Sequence, residues 1–293
     1  MIYTVENDFL KVSVTTAGAQ VCSVIRKCDG VEHIWQADPE VWGWHGPILF
    51  PYTGHLKDEK MRCKGQIFEG VSHGFGRRSE HRFVRQTDRE LVLELTDSPE
   101  TLKKWPYHFR LESRFTLEGD RLIHRLTVEN RDEEQMPFGI GFHPAFALPF
   151  DAEHTAQDYE LRFDRPQSPL CLGTDAGGLM SGETYYLGKN LTAIPLTKEL
   201  FANDSHCMTG LSAKTLSLCE KGSSRRVECE LTGFPYTLIW SKTDWPMRFV
   251  CIEPWMSLPA SASDSIDWSD RAAAAVLEPQ GVWHTDLRMR FVR

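Results

Sequence analysis

The chain has 293 residues, and its 33 basic and 41 acidic side chains give a formal net charge of −8 at pH 7. Hydrophobic residues make up 41% of it, yet no apolar run approaches the roughly 18 residues that a membrane-spanning helix needs. The acidic balance argues against nucleic-acid binding, which needs a basic surface. The composition therefore excludes disordered, collagen-like and membrane-spanning classes and predicts a globular protein.

The cysteines and the first residues both indicate a reducing compartment. The eight cysteines include no Cys-x-x-Cys pair. The segment Met1–Asp8 carries acidic residues, where a secretion signal has a basic flank and an apolar core. We therefore expect a cytoplasmic protein whose cysteines are free and structural.

Apolar and polar residues alternate with a period of two along much of the chain. In chain order, this alternation predicts strands over Leu10–Val14, Leu91–Leu95, Leu122–Val128, Tyr159–Phe163 and Val227–Leu231. Turn sequences around Gly30, Gly119 and Gly222 are typical of β-hairpins. Antiparallel pairing of neighbouring strands follows from such short connections.

Helical segments are few and short. Ser98–Lys104 begins with a capping serine and a proline, and Ala272–Ala275 predicts part of a second helix. Strands do not alternate with long amphipathic helices, and no repeat or linker divides the chain. The sequence therefore predicts an all-β fold of antiparallel strands, in a single domain over residues 1–293.

Two glycine-containing segments approach known motifs. Gly70–Gly74 has the G-x-S-x-G spacing of a nucleophile elbow around Ser72, but the following residues predict a loop and a strand instead of a helix. Gly139–Pro144 begins like a dinucleotide loop but has proline in place of the last glycine. The histidines include no H-E-x-x-H spacing. A serine hydrolase remains a distant alternative, and no metal site is predicted.

Three other segments hold ionisable groups that a core does not require. His143 stands between apolar residues and a proline, Glu253 ends an apolar strand before another proline, and His73 lies between glycines near Arg77. A carboxylate in an apolar setting has a raised pKa and is a stronger base. A histidine is the natural acid near neutral pH. Each group alone is explained by structure, but together they indicate acid/base chemistry.

Aromatic residues lie beside two of these groups. Trp255 follows Glu253 closely, and Phe146 follows His143. Such rings suit the flat C–H face of a sugar, and they suit a hydrophobic core equally well. Both interpretations stay open at this point.

Five short segments, in the same order along the chain, resemble motifs of the aldose 1-epimerase (galactose mutarotase-like) family, and in particular of its divergent branch. They are Pro47–Pro51, His73–Arg77, Gly141–Phe146, Leu200–Asp204 and Cys251–Trp255. The resemblance implies a β-supersandwich of antiparallel strands with an open sugar cleft. This agrees with the period-two alternation.

The resemblance also implies roles for individual residues. Glu253 resembles the general base of the family, His143 its general acid and His73 its second active-site histidine. The residues expected to bind the sugar are Asp204, Arg77, His55, Trp255 and Phe146. His55 stands where the branch more often has arginine, and the segment around Asp204 also departs from the pattern.

These roles predict a mutarotase that interconverts the α and β anomers of an aldose by ring opening. Base and acid are expected on opposite sides of the sugar ring, and no cofactor or metal is required. The partner is a small aldose, free or phosphorylated, with Arg77, Arg78 and Lys57 as candidates for holding a phosphate; no nucleic acid or membrane is expected. Because of the departures at His55 and Asp204, a non-catalytic carbohydrate-binding protein on the same fold remains the alternative.

Overall fold

The strands that the alternation predicts are present in the computed structural model, which describes residues 1–243, 245–271 and 275–293. The strands of these ranges are β1 (Ile2–Glu6), β2 (Leu10–Thr15), β3 (Gln20–Arg26), β4 (Val31–Glu32), β5 (Ile48–Leu49), β6 (Lys60–Cys63), β7 (Gln66–Glu69), β8 (Arg82–Gln86), β9 (Glu90–Thr96), β10 (Phe109–Glu118), β11 (Arg121–Asn130), β12 (Met136–Phe138), β13 (Gly141–Phe142), β14 (Ala145–Ala147), β15 (Tyr159–Gln167), β16 (Leu170–Thr174), β17 (Met180–Tyr186), β18 (Leu191–Pro195), β19 (His206–Thr209), β20 (Thr215–Glu220), β21 (Arg226–Glu230), β22 (Tyr236–Trp240), β23 (Phe249–Trp255), β24 (Ala275–Leu277) and β25 (Val282–Val292).

Two large sheets dominate the arrangement of these strands. One has nine strands in the order β18-β15-β20-β21-β25-β11-β10-β9-β8, and the other runs β17-β16-β19-β22-β23-β13-β5, with β14 also paired to β23. A four-stranded sheet holds β1 to β4, and two further two-stranded sheets pair β6 with β7 and β12 with β24. The named strand pairs are antiparallel, so the all-β prediction is confirmed.

A shared core connects the two large sheets. Leu126 and Leu161 of the nine-stranded sheet belong to the same cluster of buried side chains as Met208 and Ile252 of the eight-stranded sheet. Burying both inner faces removes apolar surface from water, which is the main favourable contribution to folding. The outer face of the eight-stranded sheet is thereby left to form a cavity.

Helices contribute little. The α-helix α1 (Pro99–Leu102) starts where the sequence predicts, since Ser98 and Thr101 form a reciprocal capping box. The 3-10 helices of the described ranges are Lys57–Glu59, Gly76–Arg78, Ala156–Asp158 and Trp268–Asp270. Of the second predicted helix, residues 272–274 lie outside the described residues, and Ala275 begins β24. In the described ranges, no helix is long and apolar enough to span a bilayer.

Candidate active site

The central strand β23 carries different residues on its two faces. Val250 and Ile252 belong to the core between the large sheets. Cys251, Glu253 and Trp255 alternate with them and therefore face the other way. Glu253 is thus fixed in the middle of a sheet, on the face that does not join the main core.

His143 is held beside this face by an interruption of the neighbouring strand. Both β13 and β14 pair with β23, in one continuous register on either side of residues 142–144. Pro144 has no N–H to donate, so the ladder opens at this point. The common register nevertheless places His143 opposite Glu253.

The two side chains are in direct contact. Nε2 of His143 lies 3.3 Å from Oε2 of Glu253, and the residues are 7% and 2% exposed. Burial, with the positive charge of Arg77, lowers the pKa of His143 to about 3. Burial, with the negative charge of Asp204, raises the pKa of Glu253 well above its usual value. The protein therefore favours the uncharged form of the pair, in which one proton is held by the carboxyl.

Two tryptophans that the sequence analysis missed enclose His143. The ring of Trp42 stacks on the imidazole with centroids 5.1 Å apart, and Trp240 approaches edge-on at 5.9 Å. Trp42 lies in an irregular segment that contains three tryptophans between residues 35 and 44. That concentration is the signal in the sequence that could have identified it.

His73 adopts a backbone conformation that few side chains occupy. Its φ is +65°, and its Nδ1 accepts a hydrogen bond of 3.0 Å from the backbone N–H of Gly54. The neutral ring therefore carries its proton on Nε2. Desolvation, followed by the proximity of His143 and of the cationic Arg77, lowers the pKa of His73 well below its usual value. His73 is accordingly a neutral donor in this site, 5.7 Å from the His143 ring between centroids.

Asp204 is also held in a left-handed conformation, with φ of +72°. Its Oδ1 accepts a hydrogen bond of 2.7 Å from the indole N–H of Trp240. Strained backbone that is kept in place by surrounding contacts is frequent at functional sites. The carboxylate is exposed and positioned at the edge of the cavity.

Arg77 is buried without a carboxylate partner. It is 9% exposed, its guanidinium lies 4.9 Å from the centre of the Trp44 ring, and Nε has no hydrogen-bond partner. No ion pair joins it to any residue in the described ranges. Burial, with the charge of Arg78, lowers the pKa of Arg77 to about 10, so the group stays cationic at neutral pH.

A cavity of about 260 Å³ brings together all but one of the predicted site residues. Those that line it are Glu253, His143, His73, Asp204, Arg77, His55 and Trp255. Residues from distant parts of the chain thus converge on the outer face of the eight-stranded sheet. The cavity walls combine tryptophan rings with charged and hydrogen-bonding groups.

Phe146 is the residue that the prediction misplaced. It pairs with Val250 on β14 and shares the core face of the sheet, where it is fully buried. The alternation along the strand directs the side chain away from the cavity. Phe146 therefore packs the core and is not a candidate sugar ligand.

Ser72 also lines this cavity but lacks the partners of a catalytic serine. No hydrogen bond joins its hydroxyl to a histidine in the described part of the chain, and only the three-residue helix Gly76–Arg78 follows it. A nucleophilic serine needs a base within hydrogen-bond reach. The geometry does not support a hydrolase.

A second cavity, of about 390 Å³, lies near the β6–β7 hairpin. Its charged lining mixes both signs, with Asp58, Glu59 and Glu69 facing Lys60 and Arg78. Neither His143 nor Glu253 lines it. We therefore take the smaller cavity, which contains His143 and Glu253, as the candidate active site.

One group of potential metal ligands adjoins the acid/base pair. Donor atoms of His143, Cys251 and Glu253 all lie within 4.8 Å of one another. All three residues are buried. Their donor set is typical of a site for a zinc-like cation.

Comparisons with known proteins identify the family of the chain. The sequence model of the aldose 1-epimerase family matches residues 1–261. The chain belongs to the aldose 1-epimerase family. The match includes every residue of the candidate active site.

Solved structures of family members have the same fold. The chain superposes on a galactose mutarotase related enzyme from Lactobacillus acidophilus with a TM-score of 0.94, at 27% identity, covering 99% of this chain and 97% of that one. A galactose mutarotase-like protein from Lactobacillus casei gives a TM-score of 0.90 at 26% identity, with both chains fully covered. The predicted galactose mutarotase-like fold is confirmed.

A relative along nearly the whole chain is protein LacX of Lactococcus lactis subsp. lactis. It is 29% identical over 288 residues, which cover 95% of each chain. The family model confirms the predicted family membership over residues 1–261.

Proposed function

We propose that the protein is an aldose 1-epimerase, which interconverts the α and β anomers of an aldose. The observation that carries this proposal is the contact of 3.3 Å between His143 and Glu253 in a cavity large enough for a small molecule. A base and an acid must act together to open a cyclic aldose. This pair offers both groups at one point.

The proton transfers balance within the pair. In the reacting form, the proton of the pair has passed from the Glu253 carboxyl to His143 across their contact of 3.3 Å. The Glu253 carboxylate then takes the proton of the anomeric hydroxyl while the His143 imidazolium protonates the ring oxygen, and the bond from C1 to the ring oxygen breaks. The products are an open-chain aldehyde, a neutral imidazole and a protonated carboxyl. Rotation about C1–C2 presents the other carbonyl face, and the reverse transfers close the ring. The pair holds one proton before and after each step, so the solvent supplies none.

The position of the pair changes one detail of the expected mechanism. The sequence analysis placed base and acid on opposite sides of the sugar ring, but His143 and Glu253 lie on adjacent strands and touch. The two oxygens that exchange protons are bonded to the same carbon, C1. Neighbouring groups therefore reach both from one side, and the raised pKa of Glu253 makes it the stronger base.

The other lining residues are proposed to hold the sugar. The Nε2–H of His73 and the carboxylate of Asp204 offer a hydrogen-bond donor and an acceptor, and Trp255 offers an apolar ring. Holding the sugar over the acid/base pair converts the reaction into a positioned, unimolecular step. His55 lies at the same cavity and is a further candidate.

Arg77 supports an anionic substrate, such as a phosphorylated aldose. A buried cation without a carboxylate partner is costly unless a ligand supplies the negative charge. The other two candidates for a phosphate lie elsewhere, since Lys57 bonds the carbonyl of Asp264 and Arg78 lines the second cavity. Arg77 alone of the three lines the candidate site.

Polarimetry on freshly dissolved pure anomers tests the proposal. A panel of neutral aldoses and their phosphate esters is followed with and without protein, and binding of each sugar is measured by calorimetry. We expect at least one sugar to reach anomeric equilibrium much faster than in buffer. Binding of a sugar without any acceleration would instead establish the non-catalytic carbohydrate-binding alternative.

A further inference from the structure

Cys251 adjoins the acid/base pair but has no part in the proposed proton transfers. It lies two residues before Glu253 on β23, so both side chains extend from the same face. A ring nitrogen of His143, Sγ of Cys251 and a carboxylate oxygen of Glu253 lie within 4.8 Å of one another. The thiol is fully buried.

These three donors match what a zinc ion accepts. Zn²⁺ is bound by imidazole nitrogen, thiolate sulfur and carboxylate oxygen at about 2.0–2.3 Å. Donor atoms of a tetrahedral site at those bond lengths lie roughly 3.5 Å apart. Nε2 of His143 and Oε2 of Glu253 are already at 3.3 Å, and Sγ of Cys251 lies within 4.8 Å of a donor atom of each residue.

The fourth position of such a site opens to the sugar cavity. His143 and Glu253 both line that cavity, whereas Cys251 lies below them with Trp35 and Phe249. A site with three protein ligands keeps one position for water or another small ligand. An ion bound there occupies the place of the sugar's reacting oxygens.

The local charges also bear on a bound cation. Asp204 contributes negative charge at Glu253, which favours the ion, and Arg77 contributes positive charge at His143, which opposes it. The thiol and the carboxyl must both lose their protons when the ion enters, as in metal sites generally. Glu253 and Cys251 then supply two negative charges against the two positive charges of the ion.

We propose that His143, Cys251 and Glu253 form an inhibitory site for a thiophilic divalent cation of the Zn²⁺ type. The ion engages both groups of the acid/base pair and excludes the sugar. The inhibitory consequence rests on the proposed function, but the binding of the ion does not.

Cobalt spectroscopy tests the binding without any enzyme assay. The full chain, reduced and treated with a chelator, is titrated with Co²⁺ in a Cys28→Ser background, because Cys28 is the exposed cysteine. We expect a near-ultraviolet thiolate-to-cobalt band, intense visible bands of tetrahedral geometry, and loss of both when Zn²⁺ is added. Absence of the thiolate band would overturn the proposal.

Two variants in that background assign the band to Cys251. Cys251→Ser removes the proposed ligand, and Cys207→Ser is the matched control, because it alters another buried thiol that also lies near Glu253. Loss of a direct ligand is expected to weaken Co²⁺ binding by more than the roughly 10–100-fold that changes around a metal site produce. Equal binding by Cys251→Ser, or equal loss in Cys207→Ser, would contradict the assignment. Circular dichroism checks the folding of each variant, and Cys251→Ala serves if the serine variant does not fold.

Anomerisation kinetics then separate the two proposals. In the parent, Zn²⁺ is expected to raise the apparent KM for the sugar, and Cys251→Ser is expected to resist this effect. If the cobalt band depends on Cys251 but no sugar is turned over, the metal site stands and the proposed function fails. If the sugar is turned over but the cobalt band is absent, the proposed function stands and the metal site fails.

Discussion

The indole of Trp42 stacks on the imidazole of His143, with ring centroids 5.1 Å apart and an angle of 26° between the planes. The same indole also stacks with Phe249, with centroids 5.3 Å apart. Trp42 is thus held by the sheet and in turn fixes the plane of the histidine. It is a positioning residue for the proposed acid.

Replacing Trp42 is therefore expected to slow catalysis more than it weakens binding. An aromatic face stabilises a cation by about 0.5–2 kcal/mol, and imidazolium is the form of His143 that donates the proton. Trp42→Leu should lower kcat about 3–30-fold, while Trp42→Phe, which keeps an aromatic face, should lower it less. Steady-state kinetics on both variants, with thermal unfolding as a check on folding, make the comparison. Equal kcat in Trp42→Leu and the parent would contradict the positioning role.

Asp204 is expected to bind the sugar and not to take part in proton transfer. Hydrogen bonds to a charged group contribute about 1.5–3 kcal/mol, so Asp204→Ala should weaken sugar binding about 10–100-fold. Trp240→Phe keeps the carboxylate but removes its 2.7 Å hydrogen bond, and should weaken binding by a smaller factor. Calorimetric titration with the sugar measures both. An unchanged dissociation constant for Asp204→Ala would show that the residue is not a ligand.

The charge of the substrate is tested at Arg77. Loss of a charge-assisted contact costs about 1.5–3 kcal/mol. Arg77→Met should therefore raise KM about 10–100-fold for an aldose phosphate and much less for the corresponding neutral aldose. Arg78→Met, next in the chain but lining the other cavity, is the matched control. If Arg77→Met affects both sugars to the same degree, the phosphate interpretation is wrong.

Stability should depend on pH through His33, which does not line the cavity of the acid/base pair. This residue is completely buried, both ring nitrogens lack partners, and its ring contacts those of Phe150 and Phe291. Burial and the charges of Arg26 and Arg225 lower the pKa of His33 from 6.5 to about 3, against a smaller opposing effect of Asp29. Below pH 6.5 the unfolded chain binds a proton that the folded chain refuses, so the free energy of unfolding falls as pH falls towards 3.

At pH 5 the contribution of His33 to this loss is about 2 kcal/mol relative to neutral pH. His33→Leu removes the titrating group and suits the aromatic surroundings. Urea unfolding of parent and variant between pH 7 and pH 5 should show a shallower decline for the variant. Parallel declines would show that His33 does not titrate as proposed.

The strands could be predicted from the alternation of apolar and polar residues. The face of the strand on which a side chain lies depends only on its position relative to its neighbours in the sequence. The same rule explains the error at Phe146. The residue was assigned by its nearness to His143 in sequence, but position 146 falls on the core face, opposite Val250. If the same alternation had been applied to β14 as to β2, Phe146 would have been placed in the core.

The pairing of His143 with Glu253 could not be derived from local pattern. It depends on the register between strands more than one hundred residues apart and on the opening of the ladder beside Pro144. Trp42 and Trp240 were missed for the same reason, since their contacts with His143 are long-range. The single-domain organisation and the cytoplasmic location stay predictions.

Replacement of Glu253 by glutamine tests the central claim most directly. Glutamine keeps the size and the hydrogen-bonding reach of the side chain but removes its basicity. Glu228→Gln, on the nine-stranded sheet and apart from the cavity, is the matched control. The measurement is the rate of anomeric equilibration by polarimetry, together with the calorimetric dissociation constant for the same sugar. We predict that Glu253→Gln slows equilibration by about 10²–10⁴-fold with little change in binding, while the control matches the parent; equilibration by Glu253→Gln at the parent rate would contradict the assignment of Glu253 as the base.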